Sequence, residues 1–209
     1  KHSAASQMRP EDLDEAFIGQ ASILHITGIT PALSDSCRAT VRAAVEMAKR
    51  QGVKVSFDPN LRLKLWTIEE AREVLLPLAE QADYFLPGMD ELKLLYDETD
   101  EEQVLGRVQR LSALTVIKGV GSSNVIVHQG SRTPVPYRKL DHVVDTIGAG
   151  DAFAAGFLAG IVKGYTPEQA VQLGNLSASF VIQGHGDWEL TPTWNQLEQM
   201  MRNESIVER

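Results

Sequence analysis

Short apolar runs of strand length alternate with longer segments of helical periodicity, and this alternation constrains the fold more than any single residue does. Residues 22–27 (SILHIT), 53–57, 84–86 and 114–117 are each too short for a helix and are bounded by glycine, proline or polar residues. The first reads as a buried strand followed by a loop over 29–35, with His25 a satisfied core histidine of no assigned role. Between these runs, Val41, Ala44, Val45 and Ala48 recur at helical spacing until Gly52. Thr67 and Glu70 stand at capping-box spacing ahead of a helix through Ala79, in which Pro77 is a kink or an early stop. Leu92 and Leu95 mark one face of a helix over 89–96, and Asp100 is placed to cap another with Val104, Val108 and Leu111 inward. Residues 124–128 and 132–137, either side of Gly130, read as a hairpin covering a sheet edge. Thr166, Pro167 and Gln169 supply cap, first-turn proline and box partner for a helix reaching Val181. Strands separated by helices pair in parallel under helical layers, so the expectation is one three-layer α/β/α domain over residues 1–209 with a mainly parallel sheet.

Composition narrows the function. With 43% hydrophobic and 23% charged residues the chain can bury a sizeable core. A net charge of −8 without a Lys/Arg cluster argues against nucleic acid or an anionic membrane as partner and toward small molecules. The single cysteine, Cys37, excludes an internal disulfide and fits a reducing cytoplasm. The longest apolar run, 152–162, is too short to cross a bilayer, so its Gly156/Gly160 spacing means close helix packing. Oligomeric state is left open, a homo-oligomer included.

The chemistry concentrates in DTIGAGDAF, residues 145–153. Gly148, Ala149 and Gly150 precede Asp151 at the start of an apolar segment of helical length, which makes a loop entering a helix. The first N–H groups of a helix lack internal partners and lie at the positive end of its dipole, so small residues there let an anion reach the backbone. An acid beside such a hole can act as a base, and phosphoryl transfer needs both parts. Asp151 also reads simply as a first-turn helix acid. Walker A, Rossmann, nucleophile-elbow and zincin patterns are absent from the sequence.

This stretch resembles the signature D-T-x-G-A-G-D-x-F of the PfkB carbohydrate kinases, the ribokinase-like family. The resemblance implies an ATP- and Mg2+-dependent sugar kinase in which Asp151 is the catalytic base and Gly148, Ala149 and Gly150 form the anion hole. It implies a monovalent cation site, such as K+, at Asp145, which otherwise reads as a loop acid. FDPNLRLKLW, residues 57–66, looks like the corresponding stretch of 2-keto-3-deoxygluconate kinases within the family, and GDWEL near Gly186 agrees with that subgroup. Arg62 is therefore the candidate for acceptor binding, since a guanidinium grips two carboxylate oxygens at once; its other reading is a solvated surface arginine. Lys118, Gly119 and Gly121 match a nucleotide-loop pattern, and Asn175, Gly184 and Gly186 fall where the family's adenine pocket is expected. The family's N-x-x-E motif, which helps organise magnesium, is altered here. GMDE keeps Glu91 but has Gly88 in place of Asn, and Glu91 also reads as a solvated helix-start acid.

The resemblance covers nearly all of this chain but roughly the later two-thirds of a family member, and the chain opens on Lys1 rather than methionine. It is thus expected to lack an N-terminal third that carries the opening strands, the lid and the glycine-rich sugar motif, and to expose a sheet edge normally covered. Three functional readings follow: a kinase for the terminal hydroxyl of 2-keto-3-deoxygluconate or a similar sugar acid; a non-catalytic nucleotide-binding fragment needing the missing region or another chain; and a kinase of the same family for fructose, another hexose or a nucleoside.

Overall fold

The computed structural model describes residues 3–137, 140 and 143–207. After two 3-10 turns, Ala4–Gln7 and Pro10–Asp12, and a short helix α1 (Glu15–Ile18), the first strand is β1 (Ile23–Thr27). It is followed by α2 (Ile29–Leu33), α3 (Asp35–Arg50), β2 (Lys54–Asp58), α4 (Ile68–Gln81), β3 (Tyr84–Phe85), α5 (Met89–Tyr96), α6 (Glu101–Val108) and β4 (Leu114–Val120). Strands β5 (Ser123–His128) and β6 (Ser131–Pro136) precede the helices α7 (Ala149–Val162), α8 (Pro167–Val181) and α9 (Trp194–Val207).

The six strands form one sheet in sequence order, β1-β2-β3-β4-β5-β6. The first four pair in parallel, with Ile23 opposite Lys54, Ser56 opposite Tyr84 and Tyr84 opposite Leu114. The last two are joined by the two-residue turn Gln129-Gly130, a connection that only antiparallel strands can share. Positive φ at both turn residues (49° and 79°) is what a type I′ hairpin requires. The mainly parallel α/β architecture expected from the alternation is therefore present.

The caps behave as their residue types dictate. Ser34 Oγ accepts from Cys37 N at the start of α3, Thr67 and Glu70 form a reciprocal box on α4, Asp100 accepts from Glu102 N on α6, and Thr166 and Gln169 repeat the box on α8. The predicted inward face of α3, Val41, Ala44, Val45 and Ala48, is buried, as are Val104 and Val108 of α6. Between β2 and β3, the Asp83 carboxylate accepts from Val55 N and from Lys54 Nζ, and this hydrogen bond holds the Lys54 ammonium above its ordinary pKa.

Four expectations need correction. β1 is an edge strand and not a buried one: Ile23 and Leu24 are half-buried and His25 is exposed, with Nδ1 3.0 Å from Ser56 Oγ. The segment after Gly28 is a helical turn, α2, because Pro31 and Ala32 pack inward and draw the chain around. α4 runs through Pro77 to Gln81, since a proline so near the C-terminal end of a helix forfeits a single ladder bond. β4 continues through Lys118 to Val120, so most of KGVG lies in the strand. Helix α9 lies beyond the last element read from the sequence.

The chain packs as two compact units, residues 1–120 with 125–133, and residues 121–124 with 134–209. The first has a continuous core of β2, β3 and β4 side chains under α3 to α6, with Phe57 and Phe85 stacked at 5.6 Å. In the second, α7 and α8 lie against each other with almost no space. A methyl on Gly156 would meet Ser177 Oγ at 2.3 Å, and one on Gly160 would meet Leu173 Cδ1 at 2.9 Å, as their spacing predicts. Gly106 in α6 is the opposite case, with nothing within 4 Å of an added Cβ. Gly106→Ala is therefore expected to stabilise the protein by about 0.5–1 kcal/mol, through helix propensity and a less flexible unfolded chain, measured by urea denaturation.

Candidate active site

In the first unit, polar chemistry gathers where β2 ends. Asp58 is 4% exposed, and both of its carboxylate oxygens are used. Oδ2 accepts from Lys118 Nζ at 2.7 Å, an ion pair linking the ends of β2 and β4, and Oδ1 accepts from Asn60 N at 3.0 Å. The second bond is an Asx turn, and it holds Asn60 at φ 36°, a left-handed conformation that Asn tolerates better than most residues. Gly28 makes room for this turn: its N–H donates to Asp58 O at 2.9 Å, and a Cβ there would stand 2.0 Å from Pro59 O.

Glu91, in the first turn of α5, reaches the same loop. Its Oε1 accepts from Leu61 N at 2.7 Å and its Oε2 from Gly88 N at 2.8 Å. Arg62 follows Leu61 and is exposed, and its guanidinium donates to no side chain or backbone among the described residues. Lys118 lies beside Gly88 in an isolated parallel bridge, and Gly119 follows it at φ 76°. The structure thus brings Lys118, Glu91 and the loop carrying Arg62 together around Asp58. A buried ion pair adds little net stability, but losing one partner strands the other charge at a cost of about 3–5 kcal/mol.

In the second unit, Gly148 is the N-cap of α7 at φ 78°, and a Cβ on it would meet Asp187 O at 2.6 Å. That conformation and that close approach both require glycine. The N–H of Ala152 bonds Gly148 O at 2.8 Å and that of Ala149 reaches Thr146 O at 3.3 Å, whereas the N–H groups of Gly150 and Asp151 have no acceptor among the described residues. Asp151 is exposed in the first turn of α7, and its carboxylate bonds no described group. The start of α7 therefore presents two backbone N–H groups without a described acceptor beside a carboxylate that bonds no described group.

Asp145 stands just ahead of this loop. Its Oδ1 accepts from Ile147 N at 3.0 Å, and Val144 N donates to Ile182 O at 2.9 Å, just past α8. Asn175 on α8 accepts at Oδ1 from Asn124 Nδ2 at 2.7 Å, while its own Nδ2 is buried with no partner among the described residues. Gly121, at φ 61°, accepts at its carbonyl from Tyr137 Oη at 3.2 Å. Added methyls on Gly184 and Gly186 would press on Leu190 and Glu189. Among the described residues no three His, Cys, Asp or Glu side chains gather as a metal site, and no helix is long and apolar enough to cross a membrane.

The sequence marks 58–62 as a polar cluster at a strand end but gives no individual role to Asp58, Gly28 or Asn124. DPN after a strand was a visible signal for the first, because Asp ahead of Pro-Asn favours a side-chain-closed turn. The need for glycine at position 28 is set by the neighbouring loop, which no local pattern reports.

The chain matches the model of the pfkB family carbohydrate kinases over residues 1–194. It is 32% identical to the 2-dehydro-3-deoxygluconokinase of Bacillus subtilis over 99% of its own length, and 33% identical to the 5-dehydro-2-deoxygluconokinase of the same organism over 95%. It spans 64% and 62% of the length of these two relatives. An E. coli protein assigned as Ribokinase II, solved in complex with ATP and Mg2+, superposes with a TM-score of 0.87 at 24% identity, over 97% of this chain and 66% of that one. The fold is thus ribokinase-like, and the chain belongs to the pfkB family of carbohydrate kinases.

Proposed function

We propose that the protein carrying this sequence transfers the γ-phosphoryl group of ATP to the terminal hydroxyl of 2-keto-3-deoxygluconate or a closely similar sugar acid. The observation that carries the reading is the start of α7, where two backbone N–H groups without a described acceptor stand beside an Asp151 carboxylate that bonds no described group. Phosphoryl transfer asks for positive potential where charge builds on the transferring group and a base within reach of the acceptor. The name of the B. subtilis relative supports the acceptor class.

In this reading Asp151 takes the proton of the acceptor hydroxyl as its oxygen bonds to the γ-phosphorus. The bond from that phosphorus to the β-bridging oxygen breaks, and ADP leaves. The Gly148-Ala149-Gly150 turn into α7 serves as the anion hole for the transferring phosphoryl oxygens, with the N–H groups of Gly150 and Asp151 as its open donors, and Arg62 holds the carboxylate of the sugar acid. Gly119, Gly121, Asn175, Gly184 and Gly186 are assigned to the nucleotide, with the buried Nδ2 of Asn175 as a donor awaiting an acceptor. Lys118 belongs to the same assignment through its backbone, because its ammonium is held by Asp58.

Magnesium, bound to the nucleotide's phosphate oxygens, would neutralise charge on the polyphosphate. The described residues do not make a closed metal site: Glu91 is committed to two backbone amides, and Asp145 to one. No step is therefore assigned to a metal held by Glu91 or to a cation at Asp145.

Calorimetry with ATP, paired with an ADP-release assay on 2-keto-3-deoxygluconate, 5-keto-2-deoxygluconate and fructose, tests the reading. The expected result is ATP binding together with turnover of a sugar acid in preference to fructose. The span of 64% of the first relative favours a second reading, a nucleotide-binding piece without turnover, and binding with no ADP release from any acceptor would select it.

A further inference from the structure

We propose that Glu91 is a positioning residue for the acceptor loop: its carboxylate clamps the backbone of Leu61 and so fixes the Arg62 guanidinium for a sugar-acid carboxylate. This rests on the acceptor reading given above. Both Glu91 oxygens are spent on backbone donors, Leu61 N at 2.7 Å and Gly88 N at 2.8 Å. Charge-assisted bonds of this kind are about twice as strong as neutral ones. A carboxylate whose first-choice lone pairs face two amides is built to hold chain, not a cation.

The clamp acts where the chain most needs it. Asn60, at φ 36°, is in a conformation that persists only when its surroundings over-determine it. Two consecutive amides do so, each caught by a carboxylate from a different element: Asn60 N by Asp58 at the end of β2, and Leu61 N by Glu91 at the start of α5. Asp58 is itself fixed by Lys118 from β4, and Lys118 N donates to Pro87 O at 2.8 Å, one residue before Gly88. The circuit closes through the backbone, and three elements hold one loop. Directly after it comes Arg62, whose carbonyl accepts from Leu65 N at 2.8 Å while its side chain stands exposed with no partner among the described residues. A mobile arginine on a rigid backbone loses less freedom on gripping a carboxylate than one on a mobile loop. Gly88 belongs to the device, because a Cβ there would stand 3.3 Å from Glu91 Oε2 and press on the carboxylate.

Two measurements test this. Hydrogen exchange needs no substrate: the Leu61 amide is expected to be protected in the parent protein and to lose at least tenfold of that protection in Glu91→Gln, which presents an NH2 to one of the two donors. Unchanged Leu61 exchange overturns the clamp whether or not the protein turns over. Initial rates then examine its purpose. In Glu91→Gln the KM for 2-keto-3-deoxygluconate is expected to rise at least tenfold, with the KM for ATP and the Mg2+ concentration for half-maximal rate within twofold. In an Arg62→Ala background the same substitution is expected to leave the acceptor KM unchanged, because the two act through one another. A tenfold rise in the Mg2+ requirement with the acceptor KM unmoved would instead make Glu91 a metal-organising residue and overturn the proposal. Turnover of fructose but of no sugar acid by the parent protein overturns the acceptor reading, while Leu61 exchange still decides the clamp.

Discussion

Asp151→Asn is expected to lower phosphoryl transfer about a thousandfold, the middle of the range for a lost general base, while ATP affinity changes by less than about threefold. Asparagine has nearly the shape of aspartate but cannot take a proton from a hydroxyl at neutral pH. In the proposed site the phosphate is met by backbone N–H groups at the start of α7, and the substitution removes none of them. Removing one exposed first-turn acid from α7 costs about 0.3–1 kcal/mol through the helix dipole, too little to unfold the protein. The expected signature is therefore a fall in kcat with a nearly constant melting temperature and nearly constant ATP binding by calorimetry. Turnover within tenfold of the parent would sink the assignment of the base. A parallel loss of ATP binding would move Asp151 from chemistry to binding.

What was legible in the chain is whatever is local. The capping boxes at Thr67/Glu70 and Thr166/Gln169, the Asp100 cap and the inward face of α3 each involve residues within a few positions of one another, and all are in place. Gly156 and Gly160 announced a close helix neighbour because small residues one turn apart have little other use in an apolar helix. Gly148 to Asp151 announced a glycine-led helix start with an acid in its first turn for the same local reason. What stayed hidden depends on topology. The Asp58–Lys118 pair spans sixty positions and the Glu91–Leu61 bond thirty, and only the parallel order β2-β3-β4 brings them together. α2 is too short to show a period, and the glycines of KGVG disguised the end of β4 as a loop. The open side of β1 could not be read from SILHIT, because an edge strand and a buried one differ in what lies beside them and not in their own residues.

Gly28→Ala is expected to destabilise the protein by about 3 kcal/mol, at the upper end of the usual cost of overpacking, and to lower the melting temperature by roughly 6–12 °C. The backbone of Gly28, at φ −70° and ψ −8°, suits any residue, so the whole effect is steric. The new methyl would lie 2.0 Å from Pro59 O, 2.9 Å from Pro59 C and 3.0 Å from Leu75 Cδ2. Leu75 can turn aside, but the Pro59 carbonyl cannot. It sits in a buried proline between Asp58, whose carbonyl accepts from Gly28 N, and Asn60, whose amide is held by the Asp58 carboxylate. Relief requires either that β1 draw away from the end of β2 or that residues 58–62 shift as a body, breaking the Leu61–Glu91 bond as they go. Both displace Arg62, so the acceptor KM should rise along with the loss of stability, whereas ATP binding should hold. Gly106→Ala is the matched control, a single methyl added to a glycine with open space around it, and its expected effect has the opposite sign. Equal melting temperatures for the two variants would show that the loop accommodates the methyl freely. The rigidity argued for residues 58–62 would then be wrong at its source.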